Sequence, residues 1–296
     1  MKLRYHLSKN FGDALNPLIF NHFIPELLSK ETDSVDLVGI GSILGFESLT
    51  NAPKKIVFSS GYAYGKVPKI DESYDIRCVR GPLTCDELRL DRSLAVTDGA
   101  ILLPDVIKNN QTKKLYKFSY IPHWESSMKY DWKSLCEELD INFIDPRMDV
   151  PKVVAQILKS EVLLSEALHA AIVADAYRIP WIPVKSYEGI NSFKWKDWTS
   201  SLNLTYKPNK INSLYGNTSF SRKVFKERLN YPFKKSTLSP FIKVLEQGQK
   251  ILVLNKVKSQ IEKLKGAPQY LSEESIFESK KNTLLELLSA LKRDFS

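Results

Sequence analysis

The stretch Val162-Leu-Leu-Ser-Glu-Ala-Leu-His-Ala-Ala-Ile-Val-Ala-Asp-Ala176, followed by Trp181-Ile-Pro-Val184, decides the fold. It begins and ends with short apolar runs, and a longer helical stretch lies between them. Short apolar runs separated by helical stretches are typical of parallel strands joined by crossover helices. The sequence therefore predicts an α/β fold built outward from this unit.

The same alternation continues toward the amino terminus. Apolar runs predict further strands at residues 2–5, 36–40, 55–58, 75–79, near 96, 118–121 and 141–144. Amphipathic stretches predict further helices at residues 15–28, 83–88, 132–139 and 150–158. The polar stretch Lys108-Asn-Asn-Gln-Thr-Lys-Lys114 is the candidate linker. We therefore expect two Rossmann-like domains, residues 1–112 and 113–205, that face a cleft at the carboxyl ends of their strands.

Helical signals dominate after residue 205. Apolar residues recur there at spacings of three and four, namely Leu238, Phe241, Ile242 and Leu245, then Leu254, Val257, Ile261 and Leu264. The last predicted helix has Ser272 as its N-cap and Leu284, Leu288 and Leu291 on its apolar face. Residues 206–296 are therefore expected to form a basic helical extension.

The composition indicates an ordinary globular protein. With 296 residues and 43% hydrophobic content, the chain can bury one large core or two modest ones. No apolar run reaches the roughly 18 residues that a membrane-spanning helix needs, and the start lacks a secretory signal, so we expect a cytoplasmic protein.

Cys78, Cys85 and Cys136 lack metal-ligand spacing and are expected to be reduced packing residues. We predict neither a cofactor nor a metal site.

The positive charge is concentrated in one segment. The net charge is +9, but residues 201–265 carry 14 Lys or Arg against 3 Asp or Glu, which leaves the rest of the chain at −2. Such a segment is typical of a surface for an anionic partner, such as lipid headgroups, a phosphorylated lipid carrier or nucleic acid. Solvated helix faces are the alternative.

Three motifs follow predicted strands in the first half. Asn10-Phe-Gly-Asp-Ala-Leu-Asn-Pro17 places Asp13 at a helix start, where it presents a carboxylate to a cleft or acts as an N-cap. Gly39-Ile-Gly-Ser-Ile-Leu-Gly45 lacks the dinucleotide spacing and forms either a phosphate cradle or a tight turn. Arg77-Cys-Val-Arg-Gly-Pro-Leu-Thr84 places Arg80 before a helix, where it clamps an anion or forms a structural salt bridge.

Two histidines and one lysine are the candidates in the second half. His123 and His169 follow predicted strands and are expected to border one cleft, although a lone histidine is usually a packed or surface residue. Lys194 lies in Asn191-Ser-Phe-Lys-Trp-Lys-Asp-Trp198. That segment is interpreted either as a sugar-stacking platform or as an amphipathic helix with a buried tryptophan face.

Taken in order, these segments resemble the polysaccharide pyruvyltransferase family, most closely its exopolysaccharide ketal-pyruvate branch. The matching pieces span residues 10–198 and are Asn10-Phe-Gly-Asp13, the glycine loop 39–45, Val79-Arg-Gly-Pro82, Asp98-Gly-Ala-Ile-Leu-Leu-Pro104, Ile121-Pro-His123, residues 165–181 and Phe193-Lys-Trp-Lys-Asp-Trp198. The resemblance implies two Rossmann-like domains arranged as in the glycosyltransferase B fold. It also implies phosphoenolpyruvate as the donor and a saccharide acceptor of capsule or exopolysaccharide biosynthesis, often built on a lipid carrier.

The resemblance further implies that His169 contacts the donor. Many family members carry an arginine two residues earlier, where this chain has Ala167, so Arg80, Lys185 and Lys194 are the candidate cations for the donor. Ketal formation needs protonation of the enol methylene and stabilisation of the leaving phosphate. We expect Asp13 to transfer the proton and His169 to contact the phosphate and serve as a possible acid, while Arg80 clamps the anion.

The remaining candidates would bind substrate. His123 and Glu166 are expected to hold acceptor hydroxyls, and the other predicted contacts are Asn10, Gly12, Gly41, Ser42 and Lys194. In the same scheme, residues 201–265 would rest on an anionic membrane surface.

Two other functions remain open from the sequence. A nucleotide-sugar glycosyltransferase of the same architecture is the first alternative. A nucleic-acid-binding protein is the second, because aromatic residues alternate with cations at Tyr206, Tyr215, Phe220, Phe225, Tyr231 and Phe233. No nucleic-acid-reading motif accompanies them, so we expect no nucleic-acid partner.

Overall fold

The structure is a computed structural model that describes residues 1–8, 10–29, 32–46, 50–109, 112–214 and 239–295, with side chains of the last range from residue 251 onward. It is an α/β protein with two parallel sheets, which confirms the predicted α/β class. The middle of the basic segment, residues 215–238, which includes Tyr215, Phe220, Phe225, Tyr231 and Phe233, lies outside the described residues.

The first sheet holds four parallel strands in the order β1-β2-β3-β4. They are β1 (Lys2–Arg4), β2 (Val35–Val38), β3 (Lys54–Ser60) and β4 (Tyr74–Val79). The predicted strand near Val96 is reduced to one parallel bridge between Ala95 and Val79. Each strand therefore sends its carboxyl end, and the motif that follows it, to the same edge of the sheet.

The second sheet holds five parallel strands in the order β6-β5-β7-β8-β9. They are β5 (Tyr116–Ile121), β6 (Asn142–Phe143), β7 (Ser160–Ser165), β8 (Trp181–Lys185) and β9 (Asn209–Lys210). β5 and β7 are interior strands with four and five of their six residues buried, as expected for apolar strands covered by helices on both faces. The short strand β9 was not predicted, because its Asn-Lys sequence has no strand signal.

The helices of the described residues connect and follow these strands. They are α1 (Phe11–Phe23), α2 (Pro25–Leu28), α3 (Pro82–Leu88), α4 (Leu103–Val106), α5 (Trp124–Ser127), α6 (Trp132–Glu138), α7 (Val150–Leu158), α8 (Leu168–Ala176), α9 (Ser192–Ser201), α10 (Ser239–Leu264) and α11 (Glu274–Phe295). Short 3₁₀ helices lie at Arg92–Leu94 and Gly99–Leu102.

One boundary near the site differs from the prediction. The helix expected at residues 15–28 begins at Phe11 because the Asn10 side chain caps it, accepting a hydrogen bond from the Gly12 amide. It ends at Phe23, and a separate short helix starts at Pro25, whose missing N–H disfavours continuation. Asp13 consequently lies in the first turn of α1.

The largest hydrophobic cluster joins the two sheets. It contains buried residues of α1 and of the 3₁₀ helix Gly99–Leu102 from the first half, and of α7 and α8 from the second. The Phe11 amide also donates to the carbonyl of Pro146, 3.1 Å away. The helices that carry Asp13 and His169 are therefore held together by a shared core.

The carboxyl-terminal helices pack against both sheets. In α10, Val257, Ile261 and Leu264 enter the cluster of the second sheet, which confirms the predicted stripe. In α11, Leu284, Leu288 and Leu291 enter the large shared cluster, as predicted. The prediction that Ser272 caps the last helix is wrong. Its amide and hydroxyl donate to Asp175, and α11 begins two residues later.

Two further expectations concern the cysteines and membrane spanning. Cys78, Cys85 and Cys136 are buried and free, as predicted, and burial raises the pKa of each thiol to about 11 or 12. Within the described ranges, none of the helices combines the length and apolar character needed to cross a membrane.

Candidate functional site

A cavity of about 310 Å³ lies where the carboxyl ends of both sheets converge. Its lining comes from the loops and helix starts that follow β1, β2, β3, β5, β7 and β8, and from α9. The lining residues are His6, Asn10, Asp13, Gly41, Ser42, Ile43, Phe46, Tyr64, His123, Trp124, Glu125, Ala167, Leu168, His169, Gly189 and Lys194. A larger groove of about 390 Å³ is lined by residues of α11 alone, far in sequence from every predicted site residue. The convergent cavity is therefore the candidate site.

Asp13 points into the cavity from the first turn of α1. Its Oδ2 accepts hydrogen bonds from Ser8 Oγ at 2.5 Å and from Asn10 Nδ2 at 3.4 Å. Burial raises the pKa of this carboxyl, and the opposing influences of Ser8, His6, Asn10 and Lys194 are smaller. Asp13 therefore holds a proton more readily than an ordinary aspartate does.

His169 enters the cavity from the first turn of α8 and rests against Gly12. A Cβ at residue 12 would lie 2.2 Å from His169 Nδ1, so only glycine permits this approach. Gly12 is thus a spacer for the imidazole and is not among the residues that line the cavity. Burial, together with the positive charges of Lys194 and Arg80, lowers the pKa of His169 to about 3. The ring is neutral near pH 7, which disfavours the predicted role as an acid.

Lys194 extends from α9 into the cavity. Its Nζ lies 5.7 Å from the centroid of the Tyr64 ring, and no carboxylate of the described residues forms an ion pair with it. Burial lowers the pKa of Lys194 to about 8, and Arg80 contributes in the same direction. The same ammonium influences the pKa values of Asp13, His123 and His169, so it lies among all three.

Arg80 does not line the cavity, which corrects the prediction that it clamps a substrate anion. The side chain is buried, with Nε 2.9 Å from Asp197 Oδ2. Its Nη1 donates to Ser42 Oγ at 2.5 Å, and its Nη2 donates to the Tyr62 carbonyl at 3.2 Å. The structural salt bridge, which was the alternative interpretation, is the one that the geometry favours.

Asp197 occupies the anion site predicted at the start of α3. Its Oδ1 accepts from the Thr84 amide at 2.9 Å, and its Oδ2 accepts from Thr84 Oγ1 at 2.7 Å. Gly81 allows this contact, because a Cβ there would lie 2.0 Å from the Asp197 carbonyl oxygen. The helix start and Arg80 therefore do bind an anion, but it is the protein's own carboxylate, supplied by α9.

Glu166 also lies behind the cavity wall. Its carboxylate is fully buried and accepts hydrogen bonds from Tyr120 Oη at 2.6 Å and from the His123 amide at 2.9 Å. Burial raises the pKa of this carboxyl. The expectation that Glu166 holds an acceptor hydroxyl is therefore corrected, and Glu166 instead fixes the backbone at His123.

His123 lines the cavity, as predicted. Its Nδ1 lies 2.7 Å from Tyr187 Oη, and burial lowers the pKa of the ring to about 3. Lys185 pairs with Glu188 at 3.1 Å and does not line the cavity. Of the three candidate cations for the donor, Lys194 is the one that the structure brings to the site.

The aromatic residues at the site differ from those that the sequence suggested. Trp195 and Trp198 of α9 are fully buried, so the amphipathic-helix interpretation holds and the stacking platform does not. Phe46 and Tyr64 instead lie at the cavity with 41% and 38% of their surfaces exposed. Their rings stack, with centroids 6.5 Å apart and an interplanar angle of 16°.

The glycine loop after β2 forms one wall of the cavity. Gly41 adopts a φ of +135°, a conformation that favours glycine, and Ser42 follows it into the lining. Asn16 of α1 anchors the loop, because its side chain accepts from the Ile40 amide at 2.7 Å and donates to the Ile40 carbonyl at 2.9 Å. Asn16 was not among the predicted site residues, although it stands within the motif at residues 10–17.

Comparison with known proteins identifies the family of the chain. The chain is similar to the succinoglycan biosynthesis protein ExoV of Rhizobium meliloti (strain 1021), with 38% identity over 204 residues. The match covers 68% of this chain and 64% of that relative, so the chain spans less than two thirds of the relative's length. No solved structure matches the chain. The family model described as polysaccharide pyruvyl transferase matches residues 4–187, and the chain therefore belongs to the polysaccharide pyruvyl transferase family.

Proposed function

We propose that the protein is a ketal pyruvyltransferase that moves the enolpyruvyl group of phosphoenolpyruvate onto two hydroxyls of a saccharide in exopolysaccharide biosynthesis. The observation that carries the proposal is the Lys194 ammonium, which forms an ion pair with no carboxylate of the described residues and lies beside Asp13 and His169 in one cavity. Family membership and the relative's part in succinoglycan biosynthesis support the same reaction class over transfer from a nucleotide sugar.

The donor anion would bind between Lys194 and the start of α8. Ala167, the N-cap residue of α8, offers no side-chain cap, so the amides of the first turn lack that partner. The residues of this turn, Ala167, Leu168 and His169, all line the cavity. Free amides at a helix start attract anions, and the ammonium adds a full positive charge. Lys194 thus takes the place of the arginine that is missing at Ala167.

The reaction needs proton donation at one carbon and proton removal at a hydroxyl. Asp13, with its raised pKa, would protonate the methylene carbon of the donor. An acceptor hydroxyl would attack C2 and lose its proton to neutral His169. The bond between C2 and the phosphate oxygen then breaks, and a second hydroxyl closes the ketal. Of the two hydroxyl protons, one replaces the proton that Asp13 gave up and the other leaves with the phosphate.

The acceptor would bind at the open side of the cavity. The exposed, stacked rings of Phe46 and Tyr64 offer an apolar face for a sugar ring, and His123 offers a neutral ring nearby. Aromatic faces with a few polar groups are the usual lining of small-molecule sites. The donor would therefore lie deeper, beside His169, and the saccharide nearer solvent.

The architecture and location of the protein are part of the proposal. We place residues 1–112 and 113–205 as two Rossmann-like domains related to those of glycosyltransferase B enzymes, with the cavity as their cleft. The separate parallel sheets and the position of the cavity support this arrangement.

We also propose a cytoplasmic protein whose basic segment 201–265 contacts anionic lipid near a lipid-linked acceptor. The positive charge of the segment supports this contact. Flotation with anionic vesicles but not neutral ones would agree, and no preference would refute the contact.

Incubation of the purified protein with phosphoenolpyruvate and a panel of galactosides and glucosides tests the function. We expect phosphate release together with the mass gain of one ketal-linked pyruvate on a saccharide. Phosphate release without a saccharide product would show a different reaction. Transfer of a sugar from a nucleoside diphosphate sugar would replace the proposal with the glycosyltransferase alternative.

A further inference from the structure

Two buried polar atoms that have no hydrogen-bond partner among the described residues lie close together at the back of the cavity. They are Asp98 Oδ2 and His169 Nε2, which lie 3.8 Å apart. Buried polar atoms normally find partners, and leaving one unsatisfied costs roughly 1–3 kcal/mol. A small approach of the two groups would form a hydrogen bond between these atoms and so satisfy both of them.

Asp98 is held so that only one of its carboxylate oxygens can accept a hydrogen bond from His169. It precedes the 3₁₀ helix Gly99–Leu102, and its Oδ1 accepts a hydrogen bond from the Ala100 amide at 3.0 Å. This helix packs directly against α8, which carries His169, within the shared core. The carboxylate is fully buried and has no freedom to turn toward solvent. Its second oxygen therefore stays directed at the imidazole.

Near pH 7 the Asp98 carboxyl is mostly ionised and the His169 ring is neutral. Burial raises the pKa of Asp98 to about 6, with Asp197 acting in the same direction and Arg80 opposing it. Lys194 and Arg80 both disfavour a second positive charge on His169. Near pH 7 the carboxylate can only accept a hydrogen bond, so the facing ring nitrogen must carry the proton.

We propose that Asp98 is a positioning residue that holds neutral His169 in the tautomer with its proton on Nε2, which leaves the Nδ1 lone pair as the acceptor for substrate. Nδ1 is the nitrogen that lies against Gly12. The assignment of the tautomer rests on the position of Asp98 Oδ2 beside Nε2 and on the ionised carboxylate, and it does not depend on the proposed function. Its catalytic consequence rests on the proposed function: Asp98 would also stabilise the imidazolium that forms when His169 takes the hydroxyl proton.

The exchange Asp98→Asn tests this assignment with little change of shape. The asparagine oxygen can still accept from the Ala100 amide, but its amide group would then point at Nε2 and could only donate to it. We therefore expect His169 to change its tautomer, with the proton moving to Nδ1. Asp91→Asn is the matched control, because Asp91 caps the neighbouring 3₁₀ helix through the Ser93 amide and has no histidine beside it.

Nitrogen-15 NMR of histidine-labelled protein reads the tautomer directly, and His169→Gln assigns the signal. We expect the Nε2-protonated form in the wild type and in Asp91→Asn, and the Nδ1-protonated form in Asp98→Asn. The same tautomer in the wild type and Asp98→Asn, or Nδ1 protonation in the wild type, would overturn the inference. If Asp98→Asn does not fold, the wild-type spectrum alone decides.

Kinetics with phosphoenolpyruvate and saccharide separate this inference from the function on which its consequence rests. We expect Asp98→Asn to lower kcat by about a hundredfold, the lower range for loss of general base catalysis, with little change in the KM for phosphoenolpyruvate. An unchanged kcat in an active enzyme would refute the positioning role while leaving the function intact. A wild type that forms no ketal would refute the proposed function, and the NMR result would still decide the tautomer.

Discussion

Arg80 and Asp197 form a buried ion pair across the two halves of the molecule, with Nε and Oδ2 2.9 Å apart and the residues separated by 117 positions in the chain. Asp197 follows Lys194 by less than one helical turn in α9. The ion pair therefore joins the two halves and also fixes α9, the helix that places the Lys194 ammonium in the cavity.

Removing either partner of this pair should destabilise the protein strongly. Arg80→Ala or Asp197→Ala leaves an uncompensated buried charge, which typically costs about 3–5 kcal/mol. Arg92→Ala is the control, because Arg92 pairs with Asp86 at an exposed position and such pairs contribute at most about 1 kcal/mol. Urea unfolding measures the free energy of each variant. Equal stability of Arg80→Ala and Arg92→Ala would contradict the structural role assigned to Arg80.

Lys194→Met should abolish donor binding without destabilising the fold. Its lowered pKa shows that the protein disfavours the charged form, so an apolar side chain of similar length should leave the melting temperature unchanged or raise it. Calorimetric titration with phosphoenolpyruvate should detect binding to the wild type and none to Lys194→Met. Full binding by the variant would remove Lys194 from the donor site.

The pH dependence of donor use should report the same lysine. The pKa of Lys194 is lowered to about 8, so the ammonium is present below that pH and is lost as the pH rises through it. We expect kcat/KM for phosphoenolpyruvate, which reports the free enzyme, to fall above about pH 8. Lys194→Arg keeps its charge at every accessible pH and should not show this fall. An identical alkaline decline in both proteins would assign it to another group.

Gly12→Ala should displace the His169 ring. The new Cβ would lie 2.2 Å from Nδ1, a distance that the structure cannot keep, so we expect turnover to fall by at least about a hundredfold. Gly266→Ala is the control, since its nearest contact would be 3.9 Å away. Steady-state kinetics of both variants, with circular dichroism to confirm folding, make the comparison. A fully active Gly12→Ala would mean that the position of His169 is not critical.

Phe46→Ala should weaken saccharide binding selectively. Removing the ring eliminates one member of the stacked pair at the open side of the cavity, and an aromatic contact of this kind contributes about 1 kcal/mol. We expect a several-fold rise in the KM for saccharide and an unchanged KM for phosphoenolpyruvate. Val67→Ala, at another exposed apolar position, should change neither. A rise confined to the KM for phosphoenolpyruvate would reverse the proposed order of the two substrates.

The sequence predicted the parts of the site that local patterns specify. Asp13, Gly41, Ser42, His123 and His169 all follow strands, and parallel strands bring such positions to one edge, where the structure places them. Helix ends were less predictable. The start of α1 depends on the Asn10 cap, and Ser272 binds Asp175 instead of capping α11.

The roles that the sequence could not predict depend on partners distant in the chain. Arg80 followed by a helix start indicates an anion site, but nothing nearby in sequence shows that Asp197 fills it. Asp98 gave no local signal of its contact with His169, which lies in the other half. Phe46 and Tyr64 occupy loops without periodicity, so only folding reveals that their rings meet.

The most direct test of the account compares wild-type protein and Lys194→Met in one assay with phosphoenolpyruvate and saccharide, following phosphate and ketal together. We predict equimolar phosphate and pyruvyl ketal from the wild type and neither from the folded variant. Equal ketal formation by both proteins, or phosphate released by the wild type with no ketal on any saccharide, would contradict the account.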